Sequence, residues 1–200
     1  DIALFVATPC VIVKAFQRPF SMEMLLQLGL ALVICAVIHG IGIALGALVY
    51  RQKTPRNRVL RLAVVLSNAG FMALPLQQAI LGETGVFYGT AYVVMFNLIL
   101  WSYGVAVMDK GGGRLSAKKM LLNPGFLGLL AGLAVFLLPV ELPQVLSAPI
   151  AHFAALNTPL PMLFIGYCLS NVDFHAALKQ RYYYGAMALR LIAVPVISTA

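Results

Sequence analysis

Ser67-Asn68-Ala69-Gly70-Phe71-Met72-Ala73-Leu74-Pro75 sets an amide, a glycine and a proline close together in the middle of an apolar run from Val59 to Leu81. Pro75 has no N–H, and its ring clashes with the carbonyl one turn back, so an α-helix here frees the carbonyl of Phe71. Gly70 adds backbone freedom. Asn68 can donate and accept. The run is long enough to cross a bilayer. A backbone broken at that depth is tolerated only where protein or a watery cavity satisfies the freed groups. Broken helices near the midplane hold solute sites in membrane carriers. The plainer alternative is a proline-kinked helix in a bundle, with Asn68 bonded to a neighbour.

The other reactive residue types form no constellation. Ser67, His39, His152 and Cys168 are the candidates for membrane-embedded catalysis, and no spacing joins them into a nucleophile–base pair. His39 and His152 read as hydrogen-bonded structural residues. Cys10, Cys35 and Cys168 lie in apolar runs without a CxxC or His-rich pattern, so they read as small apolar side chains and no metal is implied. No cofactor is called for. Coupling to H⁺ or Na⁺ stays open, because no Asp or Glu lies deep in a span while backbone carbonyls can bind Na⁺.

These residues must be positioned by membrane helices. The chain is 62% hydrophobic and 10% charged, against about 45–50% and about 25% for a soluble domain. Apolar runs fall at 2–16, 25–50, 59–81, 85–108, 121–138, 145–170 and 183–200, with turns or polar stretches between. The reading is an all-α polytopic membrane protein forming one transmembrane domain. Gly42-xxx-Gly46 permits close helix contact. Gly82-Glu83-Thr84 reads as a tight turn. Asn157, Pro159 and Pro161 interrupt the sixth run. The chain opens inside one apolar run and stops inside another, which reads as an excerpt of a longer protein.

Alternating spans put 51–58, 109–119 and 171–181 on one side. Those loops hold Arg51, Lys53, Arg56, Arg58, Lys110, Arg114, Lys118, Lys119, Lys179 and Arg181, whereas the opposite turns hold Lys14, Arg18, Glu23, Glu83 and Glu141. The bias makes the first side cytoplasmic and 109–119 a cytoplasmic linker. It also accounts for the net charge of +8 without nucleic acid. The partners are then the bilayer and a small solute. A receptor or a purely structural subunit is the remaining rival, and it has no need of a polar break at mid-bilayer.

Thr8-Pro9 in the first run recurs as Thr158-Pro159 in the sixth. Five spans separate them, so equivalent helices run in opposite directions. This is the plan of inverted-repeat secondary transporters.

The segment from Asn68 to Pro75 is similar to the Asn-x6-Pro crossover of the auxin efflux carrier family, which includes plant auxin exporters and bacterial malate and malonate carriers. Asn97-Leu-Ile-Leu-Trp101-Ser-Tyr-Gly104, Asn123-Pro124-Gly125, Pro159 to Leu169 and Arg190-Leu-Ile-Ala-Val-Pro195 resemble later motifs of the same family, in order. Ala69 and Ala73 depart from it, standing where many bacterial members have Thr and Gly. The resemblance implies ten helices in two inverted repeats of five, of which seven lie here, lacking the first and the last two. It implies scaffold helices within 2–50 and 121–170, and a transport bundle within 59–108. It implies carriage of a small organic anion, a mono- or dicarboxylate, across the cytoplasmic membrane, in a homodimer. Asn68, Gly70, Phe71, Pro75 and Asn97 are the implied substrate-binding residues, with Pro75 making the break.

The charge bias predicts sidedness. A cysteine at Thr54 should resist impermeant thiol reagents in intact cells and react after permeabilisation. A reporter active only outside the cytoplasm should give signal when fused after Glu83. Labelling of Thr54→Cys in intact cells would overturn the topology.

Overall fold

The computed structural model describes residues 2–52, 54–108, 122–138 and 141–199, and among them every regular element is helical. The basic linker 109–119 and the residues 139–140 of the turn before the sixth run lie outside the described residues.

The first helix, α1, spans Ala3–Ala15. The second, α2, runs from Met22 to Val49. Its flanks Leu26, Leu30, Val33 and Val37 are exposed, an apolar stripe suited to a bilayer. The third, α3, is Pro55–Val65, and Thr54 caps it by accepting from the Asn57 N–H at 3.2 Å. Arg56 and Arg58 therefore sit on its first turn. The sequence reads 51–58 as loop, and the Thr-Pro cap starts the helix earlier. Arg61 donates to the carbonyls of Tyr50 at 2.7 Å and Arg51 at 3.0 Å, which closes the turn between α2 and α3. Gly42 and Gly46 face the backbones of Val65 and Arg61, so the small-residue stripe does bring two helices together.

An uninterrupted apolar helix from Pro55 to Met108 would contain 54 residues. At about 1.5 Å per residue it would be roughly 80 Å long, far beyond a core of about 30 Å. The chain resolves the excess with a break at 66–68 and a reversal at Gly82. Helix α4 (69–81) and helix α5 (83–108) lie against each other as a hairpin. Gly82 makes the turn at φ 65°, the one positive φ among the described residues. No neighbour approaches its Cβ position, so conformation and not space demands glycine there. Side chains at Gly85 or Gly89 would overlap Leu81 or the Gln77 amide on the facing helix.

Helix α6 is Pro124–Leu137, capped by Asn123, whose Oδ1 accepts from the Phe126 N–H at 2.8 Å. The sixth run breaks as its asparagine and prolines suggest. Helix α7 (Gln144–Ala155) ends, 156–158 turn, and α8 (Pro159–Ser170) follows. A short helix α9, Phe174–Leu178, interrupts the polar stretch before the last helix, α10 (181–199).

Three π-turns stand two residues ahead of a proline: Ala3–Ala7 before Pro9, Ala69–Ala73 before Pro75, and Leu189–Ala193 before Pro195. In each, the residue before the proline bonds five residues back. The wider turn moves the carbonyl that the proline ring would strike, and the helix continues.

Two cores hold the bundle. Phe16, Phe87 and Phe136 meet at centroid distances of 4.9, 5.5 and 6.0 Å and join α1, α5 and α6. Tyr50, Leu60, Val64, Ala186 and Val194 join α3 to α10 beside α2.

Gly82→Ala should cost about 1–3 kcal/mol, because φ 65° with ψ −155° is a backbone region essentially reserved for glycine, and Gly82→Asn should cost as much. Thermal unfolding of the purified variants in detergent tests this. Equal midpoints for Ala and wild type would show that the turn does not need the positive φ.

Candidate functional site

Helix α3 loses its ladder at Val65. Leu66 is extended at ψ 140° and Asn68 lies outside the helical region at φ −81°, ψ 58°. The last carbonyls of a helix are orphaned and carry the negative end of its dipole. Arg190 on α10 meets both needs. Its Nη1 donates to the carbonyls of Val64 and Val65, each at 3.2 Å, and its Nη2 donates to the Tyr92 hydroxyl at 2.9 Å. Ser67 donates to the same hydroxyl at 3.0 Å. The Tyr92 ring lies against His39, at 4.8 Å between centroids. His39 is buried, with Nδ1 2.7 Å from the Cys35 carbonyl.

Helix resumes at Ala69, where the Asn68 carbonyl accepts from Met72 and Ala73. The break thus precedes Pro75 instead of following from it. Pro75 sits inside continuous helix because the π-turn absorbs it.

Ser67, Asn68, Ala73, Gln77, Tyr92 and Arg190 line a cavity of about 320 Å³ beside the break. Among the described residues the Asn68 Oδ1 and Gln77 Oε1 are buried without hydrogen-bond partners. An amide turned about its last bond presents NH₂ in place of oxygen, so both residues can offer donors to a ligand. Arg190 adds more: of a guanidinium's five donors, three are engaged by Val64, Val65 and Tyr92, and two remain. Among the described residues no carboxylate pairs with it.

The residues singled out from sequence do not all meet there. Asn68 lines the cavity. The Gly70 carbonyl accepts from Asn157 Nδ2 at 2.7 Å, and Asn157 Oδ1 accepts from Thr8 at 3.2 Å. Asn157 is 3% exposed, so it forms a buried strut from the π-turn to α1. Pro75 lines a different cavity, with Leu74 and Asn157. Phe71 is half-buried and lines neither. Asn97 is buried in the α5–α6 contact, donating to the Val93 carbonyl at 2.8 Å and packed on Gly125.

Arg190, Tyr92, Gln77 and Asn157 are site residues that sequence reasoning did not single out. For Arg190 the signal is present, since an ionisable residue inside an apolar run marks a functional position by default. For the other three, only the folded neighbourhood reveals them.

A family model described as membrane transport protein matches residues 1–200. The chain belongs to that family. It is the auxin efflux carrier family that the motifs resemble, and its member here is a multi-pass membrane protein whose third apolar run is broken, at 66–68 and not at Pro75. No curated protein and no solved structure matches the chain.

The clamp at the end of α3 predicts a stability cost. Arg190→Gln removes charge-assisted bonds from two buried carbonyls and should lower stability by about 1.5–3 kcal/mol. Arg190→Lys should recover only a fraction, because an ammonium cannot fork across two carbonyls and a phenol. Unfolding midpoints of the three proteins in detergent decide it, and a Lys variant equal to wild type would show that charge alone suffices.

Proposed function

We propose that this family member carries a small organic anion, a mono- or dicarboxylate, across the cytoplasmic membrane by alternating access around the break between α3 and α4. One observation carries the reading. A guanidinium with free donors and no carboxylate partner among the described residues lines a cavity at a broken helix. A carboxylate ligand supplies the missing charge, and the Asn68 and Gln77 amides supply neutral contacts at its rim.

Packing suggests which helices move. Helix α1 packs on α6 and α7, α2, α3 and α10 form a second group, and α5 touches both. We assign the first group to the scaffold and the second to the moving bundle. Helix α2, Met22–Val49, which the resemblance places among the scaffold helices, thereby joins the bundle. Thr8 meets Asn157 one residue before Thr158-Pro159, a contact between the two Thr-Pro segments that supports an inverted repeat and its ten-helix plan. A homodimer in the cytoplasmic membrane accompanies this reading by resemblance. The enzyme alternative is disfavoured by the hydrogen bonds. Ser67 donates to Tyr92 and His39 holds the Cys35 carbonyl, so the two are not joined as nucleophile and base.

Asn68→Ala tests the site. Among the described residues the Asn68 side chain makes no hydrogen bond, so its removal should leave the unfolding midpoint near wild type. Loss of a hydrogen bond to a charged ligand costs about 1.5–3 kcal/mol, roughly ten- to a hundredfold in affinity. Uptake of labelled malonate into proteoliposomes and thermal stability are measured on the same purified variant. Intact uptake with lowered stability would make Asn68 structural and sink the assignment.

A further inference from the structure

The second cavity is larger, about 510 Å³, within the roughly 300–1,000 Å³ of small-ligand sites. It opens at the end of the bundle where Gly82 turns, opposite the basic loops. Lys14, Gln17 and Arg18 enter it from the end of α1, Gln78 and Glu83 from the α4–α5 hairpin, and Asn157 from the α7–α8 break. Its remaining wall is mostly apolar. The Arg18 guanidinium lies over the Phe87 ring, 5.0 Å from its centroid, which holds the charge in place. Arg18 Nε and Gln17 Nε2 are buried without acceptors among the described residues. Among the described residues neither Lys14 nor Arg18 pairs with a carboxylate, although Glu83 lines the same cavity.

Buried donors without acceptors are costly, and two cations facing one acid leave the cavity positive. The apolar wall strengthens that field. Pro75 and Asn157 also line it, and Asn157 is the strut to the π-turn at Gly70. The cavity is therefore separate from the Asn68 cavity but shares its helix, on the scaffold side.

We propose that this cavity is a second anion site, which receives a water-soluble carboxylate at the face opposite the basic loops. Lys14 and Arg18 draw the anion in, the Gln17 amide and the Arg18 Nε–H bind its oxygens after a small side-chain rotation, and Glu83 weakens the hold so that the ligand is released. Its place on a transport path rests on the function proposed above; the binding itself does not.

The test uses thiol protection, which reads binding without transport. Ala155 is exposed on the wall. Ala155→Cys is introduced with Cys10, Cys35 and Cys168 replaced by Ala, in phosphatidylcholine vesicles. Labelling by an impermeant maleimide is followed against sodium malonate, with sodium chloride of equal ionic strength as control. Malonate should slow labelling. Arg18→Gln and Lys14→Gln should each raise the half-protecting concentration, Arg18→Gln by about tenfold or more. Arg18→Lys keeps the charge but loses the Nε–H, so it should retain more protection than Arg18→Gln and less than wild type, which excludes misfolding as the cause. Glu83→Gln should lower the half-protecting concentration. Protection that survives Asn68→Ala, even with uptake abolished or never seen, supports the site independently of the transport reading. The proposal is overturned if malonate protects no better than chloride, if Arg18→Gln changes nothing, or if Asn68→Ala removes protection. It is also overturned if protection appears only when phosphatidylglycerol is added, since a lipid headgroup would then be the ligand.

Discussion

The carbonyls of Val64 and Val65 end a helix inside the membrane, where no bulk water can bond them. Everything around the break follows from that constraint. A helix end exposes acceptors and a negative dipole end, so its best partner is a cation with several donors in a plane. Arg190 is such a group, and it comes from a helix 125 residues further along the chain. Tyr92 fixes the guanidinium from one side and is itself fixed by Ser67 and the His39 ring. The break is therefore a long-range structure. α3 and α4 cannot hold this shape until α10 has docked, even though the segment between them is only a few residues long.

The prolines show how differently a membrane helix treats the same residue in different settings. Pro9, Pro75 and Pro195 each follow a π-turn, and the helix passes through all three. The discontinuities at 66–68 and 156–158 fall where an asparagine stands, Asn68 and Asn157, and where another helix supplies bonding groups. Asn157 answers the Gly70 carbonyl across the bundle, so the second discontinuity bonds the π-turn that follows the first. The rule that proline breaks a helix assumes a strict α ladder. A wider turn removes that assumption, and the break then lies where tertiary partners can bond the freed groups.

This explains what could be read from the sequence. Helix number, the reversal at Gly82 and the α2–α3 contact through Gly42 and Gly46 were all legible, because hydropathy and small-residue spacing are local signals. That the run 59–81 is broken was legible too. The position of the break was not, since composition cannot distinguish an α-turn from a π-turn before Pro75. Asn68 stood out as an amide in an apolar run, and it does line a cavity. Asn97 stood out on the same grounds, yet it serves the α5–α6 contact, with Gly125 leaving room for its amide. Nothing in sequence separates two asparagines in apolar runs, one with a cavity beside it and one with a glycine. Arg190 was legible as a charge in an apolar run, and its role needed only the recognition that such a charge requires a partner.

The choice of partner has a consequence for the site. An Asp or Glu on α3 or α4 would neutralise Arg190 more completely than two carbonyls and a phenol do. A buried pair of that kind, with its desolvation cost met by mutual attraction, loses much of its attraction for an outside anion. Backbone carbonyls carry only partial charge. They satisfy donors without cancelling the guanidinium's field, and they leave two of its donors for a ligand. The absence of acidic residues from the deep portions of the runs, plain in the sequence, thus belongs to the same design as the break. The protein holds a cation in an apolar place with helix-end carbonyls and one phenol, and among the described residues it places no carboxylate there.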